Sequence, residues 1–336
     1  MAIVGPFGLS VTDETLDADI RAGMAAVEQE LLAATKSEFA YLTQTSRHLV
    51  EAGGKRFRPL LVLLAAQFGD WQAPGVVPAA VVCELTHLAT LYHDDVMDEA
   101  LLRRGAPSAN SRWDNSVAIL TGDFLFARAS EIVADLGADA VRIQARAFAR
   151  LVTGQIRETV GPGTGDDPVE HYLSVIADKT GSLIAASGQF GAMFAGADEH
   201  VVDILTRYGE RFGVAFQLAD DVLDIASDST ESGKTPGTDL REGVPTLPVL
   251  HLRAGVAGKS AAEDRHLLNL LDGPIADDDR HAEALDLLRS HPALVRARED
   301  TRRYAEEARE VLAPLPDCSA KRALSSLCEL VVERSA

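Results

Sequence analysis

The chain is poor in the features of a secreted, membrane-spanning or nucleic-acid-binding protein. Its three cysteines, Cys83, Cys318 and Cys328, show neither CxxC spacing nor an even framework, which argues against a disulfide-stapled scaffold. No His/Cys cluster suggests zinc. No basic-plus-apolar signal segment opens "MAIVGPFGLSVTDETLDADI", and no uninterrupted apolar run approaches the ~18 residues of a membrane span. The expectation is a soluble cytoplasmic protein. Basic residues are in deficit, 32 Lys and Arg against 51 Asp and Glu, for a formal net charge of −19. Such a chain repels nucleic acid and anionic membrane surfaces unless its basic groups are locally concentrated, so metal cations are the expected charged partners.

Sustained period-two alternation is also absent. Apolar residues recur instead at three- and four-residue spacing among abundant Ala, Leu, Glu and Arg, which predicts an all-α chain. Helical segments are expected at about 14–34, 37–52, 57–69, 76–99, 115–136, 138–160, 168–195, 198–226, 244–255, 262–271, 279–290 and 294–313. Turn residues gather in "GGK" (53–55), "GDWQAPG" (69–75), "RRGAPSANS" (103–111), "GPGTGDD" (161–167) and "SDSTESGKTPGTDLREG" (227–243). None reads as a long interdomain linker, and the only low-complexity tract is "ADDDR" at 276–280. With 46% hydrophobic residues, the 336-residue chain can bury a sizeable core, and a single large helical domain over 1–336 is the economical reading.

One acidic pattern occurs twice. DDxxD appears at Asp94, Asp95 and Asp98 and again at Asp220, Asp221 and Asp224, each time leaving a strongly apolar helix, "LTHLATLY" or "GVAFQLA". On a helix, residues i and i+4 share a face, so Asp94 with Asp98, and Asp220 with Asp224, can converge while Asp95 points to the edge of the site. Hard Mg²⁺ suits such oxygen ligands, because it keeps waters and phosphate oxygens in its octahedral shell. Basic clusters accompany the acidic ones: Lys55, Arg56 and Arg58 follow two glycines, and Arg103 and Arg104 follow the first DDxxD. Arg offers a planar fork to phosphate oxygens and Lys a compact charge, while glycine permits close backbone approach. A solvated acidic face or an ordinary surface cation explains any one of these groups alone; it must here explain all of them together.

With "GGKRFRP", "HDDVMDEALLRRGAPS", "GQIRE", "DKTGSL", "FQLADDVLD" and the closing "VVERSA", the chain resembles the trans-prenyl diphosphate synthases over nearly its whole length. The resemblance implies an isoprenoid synthase fold, an all-α assembly around a deep central cavity. It is usually a homodimer, with the two Asp-rich motifs facing each other across the cavity mouth. Asp94, Asp98 and Asp220 would be the principal ligands of three Mg²⁺ ions, supported by Asp95, Asp221 and Asp224. Arg103 and Lys179 would bind the allylic diphosphate, and Lys55, Arg58, His87 and Arg104 the diphosphate of isopentenyl diphosphate. Gln155 and Glu158 match a segment near the metals, Thr180 and Gln217 line the reacting tail, and Lys234 and Asp239 fall in the loop that closes the site. In one departure, Val244 of "REGVPTLP" stands where family members commonly carry lysine, with Arg241 the candidate substitute.

The implied reaction is metal-assisted electrophilic alkylation, in which an allylic diphosphate ionises and the alkene of isopentenyl diphosphate attacks. Ala89 and Thr90, five and four residues before Asp94, are small where short-chain members often place a bulky aromatic. The expected product is therefore hexaprenyl to decaprenyl diphosphate, plausibly for a respiratory quinone such as menaquinone, with geranylgeranyl diphosphate as the alternative. A terpene cyclase, or a non-catalytic subunit of a heteromeric synthase, is the rival class; the first usually lacks a repeated DDxxD, and the second should have lost one copy.

Overall fold

The computed structural model describes residues 3–4, 10–11, 13–226, 236–259 and 262–334. Their architecture is all-α, as the periodicity predicts. The first half contains α1 (Glu14–Ala34), α2 (Ala40–Glu51), α3 (Phe57–Ala66), α4 (Val76–Met97), the short α5 (Ala109–Arg112), α6 (Asn115–Asp135) and α7 (Ala138–Val160). Then come α8 (Pro168–Ile176), a π-helical turn (Ala177–Gly181), α9 (Ser182–Phe194) and α10 (Glu199–Ala226). Helices Thr238–Glu242, Leu247–Lys259, Ala262–Leu270, Asp278–Ser290, Pro292–Val311 and Ser319–Arg334 complete the described chain. Two-residue strands pair antiparallel at Ile3–Val4 with Ser10–Val11 and at Leu102–Arg103 with Ala106–Pro107.

Aspartates start many of these helices. Asp13 accepts from the backbone N–H groups of Thr15 and Leu16, Asp114 from Val117, and Asp167, followed by Pro168, from Val169 and Glu170. The Asp-rich tract at 276–280 has the same use: Asp277 caps the helix Asp278–Ser290, while Asp278 and Asp279 occupy its electropositive first turn.

The chain forms two compact units. The first comprises Met1–Arg150, Ser182–Gly209 and Pro314–Leu324; the second comprises Leu151–Gly181, Glu210–Ala313 and Ser325–Ala336. In the first, α3 is apolar all round and buried from Leu60 to Ala66, packed between α4 and α9. A Cβ on Gly191 of α9 would stand 2.1 Å from the Val62 carbonyl oxygen, so glycine permits that close crossing. In the second, Val214, Leu218 and Val222 of α10 share a core with Leu247, Leu267 and Leu294 of the later helices. Among the described residues one helix, Val76–Met97, is long and apolar enough to cross a membrane, and most of it is buried inside the protein.

Several boundaries differ from the expectation. The segment 168–195 is not one helix, because the π-helical turn separates α8 from α9. There the chain passes close to α7: a Cβ on Gly154 would stand 2.7 Å from the Lys179 backbone nitrogen. The helix Ser319–Arg334 was not expected, although Leu324, Leu327, Cys328 and Val331 recur at helical spacing and are all buried.

Candidate active site

In the first unit the chain leaves α2 through Gly53 and Gly54, at φ 90° and 133°, and enters α3 through Arg56 at φ 48°. A Cβ on Gly54 would stand 2.7 Å from the guanidinium carbon of Arg104, so glycine lets that side chain reach the backbone. Arg104 donates to the Leu49 carbonyl at 2.7 Å and to that of Gly53, and it faces Glu84 at 3.8 Å. Glu84, only 2% exposed, also meets Arg56 at 3.2 Å, and Arg56 continues to Glu28 at 2.5 Å. A single buried acid thus offsets a group of cations. Burial pushes the Arg58 and Arg104 guanidinium groups below their usual pKa, and Glu84 pulls both back. Burial, then Arg58 and Arg104, hold His87 well below the ordinary imidazole value, so it is neutral at physiological pH. Lys55 is exposed.

The first DDxxD ends α4. Helix α4 stops at Met97, where the Asp98 N–H donates to the Asp94 carbonyl at 2.8 Å. Asp94 is half-buried and Asp98 exposed. Asp95 lies not at the edge of the cluster but buried, with Arg103 Nε donating to its Oδ1 at 2.5 Å and Arg103 Nη2 3.7 Å from Asp98. Burial raises the Asp95 pKa, and Arg103 opposes the rise. The two arginines sit on a hairpin rather than a helix: Arg103 pairs with Ala106 across a two-residue loop, Arg104–Gly105, at φ 55° and 75°. Positive φ at both central positions is the type I′ requirement, and here the two guanidinium groups go separate ways. Ala89 and Thr90 are buried, Thr90 Oγ1 donating to the His87 carbonyl at 2.8 Å. Helix α6 approaches closely at this level, since a Cβ on Gly122 would stand 3.0 Å from the Ala89 carbonyl oxygen.

The second unit gathers Gln155, Glu158, Lys179, Thr180, Gln217, Asp220, Asp221, Asp224 and Asp239. Glu158 accepts from Gln155 Nε2 at 3.2 Å and from Lys179 Nζ at 2.5 Å. Thr180 Oγ1 donates to Gln217 Oε1 at 3.0 Å, and Gln217 Nε2 donates to Asp221 Oδ1 at 3.0 Å. The π-helical turn carries both Lys179 and Thr180. Asp221 is buried, and its pKa is pushed well above the carboxylate range by burial, then by Asp239, Asp224 and Glu158. Asp220 is half-buried and meets Arg334 Nη2 at 3.3 Å. The Asp224 oxygens accept from the backbone N–H groups of Thr238 and Asp239 at 3.1 Å each. Lys234 lies outside the described residues. Arg241 donates to Asp278 at 2.6 Å, so its guanidinium is directed to a surface carboxylate.

Among the described residues no group of three or more His, Cys, Asp or Glu side chains stands in ready metal-holding geometry. The donor chemistry nevertheless fits a hard divalent cation. Asp221 Oδ2, like Asp95 Oδ2, is buried without a hydrogen-bond partner among the described residues, and the carboxylates around Asp221 repel its charge. A cation there would relieve both. Sequence reasoning missed Glu84 and Arg334; the signal for the first was a lone acid in the apolar run "VVCELTH".

The chain belongs to the polyprenyl synthetase family, whose model matches residues 39–288, and it is a prenyltransferase of isoprenoid synthase fold. It is 50% identical over 328 residues to the nonaprenyl diphosphate synthase of Mycobacterium tuberculosis, with 97% of each chain covered. Among solved structures it resembles geranylgeranyl pyrophosphate synthase from Corynebacterium glutamicum complexed with calcium and isoprenyl diphosphate. That likeness has a TM-score of 0.84 at 46% identity and covers 96% of this chain and 98% of the other. Decaprenyl diphosphate synthase from Rhodobacter capsulatus gives a TM-score of 0.85 at 35% identity, covering 96% and 99%.

Proposed function

We propose that this protein condenses isopentenyl diphosphate head to tail with an allylic diphosphate, repeatedly, to a long-chain product in the hexaprenyl to decaprenyl range. The observation that carries the site reading is the excess of carboxylate around Asp221, one oxygen of which has no hydrogen-bond partner among the described residues. Mg²⁺, about three ions by family resemblance, would be held by Asp94, Asp98 and Asp220, with Asp95, Asp221 and Asp224 in support. When bound, the metal neutralises the allylic diphosphate and makes it a better leaving group.

The chain's own residues do the rest. Arg103 and Lys179 bind the allylic diphosphate; Lys55, Arg58, Arg104 and neutral His87 bind that of isopentenyl diphosphate. The allylic carbon–oxygen bond breaks, a carbon–carbon bond forms to the alkene, and a proton leaves with the departing diphosphate as its acceptor. Thr180 and Gln217 line the reacting tail, and apolar residues exclude the water that would trap the cation as an alcohol. Asp239 would, by the family resemblance, belong to the segment that closes over the substrates. A homodimer is the proposed assembly, supported by Leu101, Leu102 and Leu120 of the first unit, which are 74%, 65% and 65% exposed. A cytoplasmic location and a quinone side chain as destination complete the reading.

Labelled isopentenyl diphosphate, offered with each allylic primer in turn and followed by chain-length analysis, tests this function. Geranylgeranyl diphosphate as the longest product would overturn the long-chain reading. Replacing Ala89 by Phe puts a ring one turn or so before Asp94 and should shorten the product to geranylgeranyl diphosphate or below. An overpacking cost of about 1–3 kcal/mol is expected at this buried position. A wild-type length distribution from active Ala89→Phe enzyme would remove Ala89 from the path of the tail.

A further inference from the structure

The three carboxylates of the second DDxxD are not equivalent. Asp224 gives both oxygens to backbone N–H groups at the start of the helix Thr238–Glu242. Asp221 is buried and takes the Gln217 amide on one oxygen. Asp220 is half-buried, as Asp224 is, and is touched by Arg334, from the last turn of the helix Ser319–Arg334.

The geometry of that contact is specific. Phe216 and Asp220 stand four residues apart on α10 and so share a face. The Arg334 guanidinium carbon lies 6.0 Å from the Phe216 ring centroid, and its Nη2 lies 3.3 Å from Asp220 Oδ1. A ring and a carboxylate one turn apart therefore hold one guanidinium between them, at the helix end where the macrodipole favours a cation. The side chains are 27% and 38% exposed, and ion pairs that wet contribute little to stability. What such a pair can do is fix the direction of a carboxylate, leaving its second oxygen for another cation.

We infer that Arg334 is a positioning residue for Asp220. By holding one oxygen of the carboxylate it sets the other for a divalent metal ion, as hydrogen-bonded partners of metal-ligating carboxylates do. Phe216 holds Arg334 in place. The inference rests on the reading of Asp220 as a metal ligand, and the test separates the two.

Mn²⁺ binding to the full-length protein, in the presence of inorganic diphosphate, is read by the electron paramagnetic resonance signal of the free ion. Arg334→Ala should raise the Mn²⁺ dissociation constant about 10–100-fold. Arg334→Lys should recover part of the loss, because it keeps the charge and loses the fork. In turnover, the half-saturating metal concentration should rise by a larger factor than kcat at saturating metal falls. Phe216→Leu provides a second route to the same loss, smaller in size, should Arg334→Ala melt before the titration temperature. Asp220→Asn tests the underlying reading. If it weakens Mn²⁺ binding while Arg334→Ala and Phe216→Leu leave it unchanged or tighter, Arg334 does not position Asp220. If Asp220→Asn itself binds Mn²⁺ like wild type, Asp220 is not a ligand and the role of Arg334 falls with it.

Discussion

The two DDxxD motifs read alike in sequence, and in each the structure buries the middle aspartate but gives it different charged neighbours. In the first unit the middle aspartate, Asp95, is buried under Arg103, and the neighbouring cations Arg56, Arg58 and Arg104 crowd around one buried acid, Glu84. In the second unit the middle aspartate, Asp221, is also buried and accepts from the neutral Gln217 amide, with Asp239, Asp224 and Glu158 adding like charge. The first middle aspartate answers to a neighbouring cation and the second to neighbouring anions. The lesson is that a motif fixes where carboxylates lie along a helix, while their protonation and metal preference are set by side chains from elsewhere in the chain.

The largest effect expected from breaking this comparison is on the chemical step. Asp94→Ala and Asp220→Ala should each lower kcat by orders of magnitude, since each removes a carboxylate proposed to assist leaving-group ionisation. Steady-state turnover on folded protein, with circular dichroism as the check, decides it; near-normal kcat in either variant would reject that motif's role.

Next in size is a stability difference between substitutions at the two middle aspartates. Burial raises the Asp95 pKa as well, but Arg103 opposes the rise, so Asp95→Asn exchanges relief of a buried charge for loss of the Arg103 pair and should change stability less than Asp221→Asn does. Asp221→Asn keeps an acceptor for Gln217 and removes a charge that its neighbours repel. A carboxyl whose folded pKa is raised contributes stability that is full below the unfolded value, near 3.8, and is lost as pH rises through the folded value. At neutral pH Asp221 is therefore a cost, and in chelator-treated protein Asp221→Asn should raise Tm. Calibration is about 2–4 °C for each kcal/mol in chains of this order of size. Destabilisation by both substitutions would mean that Asp221 is compensated after all.

Much of this was legible in the sequence because it depends on local pattern. Helical periodicity gave the all-α class, and the doubled DDxxD with its basic companions gave the family. What was not legible depends on contacts between distant segments. Helix geometry alone points Asp95 to the edge of its site; that the 102–107 hairpin folds Arg103 back over it needs the tertiary structure. Asp224 counts as a third motif carboxylate in sequence, yet 14 and 15 residues later the N–H groups of Thr238 and Asp239 claim its oxygens. Glu84 belongs to no motif, and Arg334, although it falls in the closing "VVERSA", is given its partner Asp220 only by proximity in space.

The smallest effect concerns His87, and it sharpens the reading of the first unit as an anion receptor. Burial and the cations Arg58, Arg104, Arg103 and Arg56 hold its folded pKa well below 6.5. Between the folded value and about 6.5 the unfolded chain binds a proton that the folded chain refuses, so stability rises with pH across that window and is lost as pH falls below 6.5. The slope from this one group is at most about 1.4 kcal/mol per pH unit. His87→Gln, which keeps polarity without a titrating ring, should flatten that part of the profile while leaving stability above pH 7.5 nearly unchanged. Thermal melts from pH 5 to 8 on the two proteins read the difference directly. Inorganic diphosphate should protect wild type most at low pH, because an anion bound among these arginines offsets their push on the imidazole and lets His87 accept its proton. Equal slopes in wild type and His87→Gln would mean that the imidazole is not held neutral by this cluster, and that the arginines' charge is already spent on Glu84 and the backbone carbonyls.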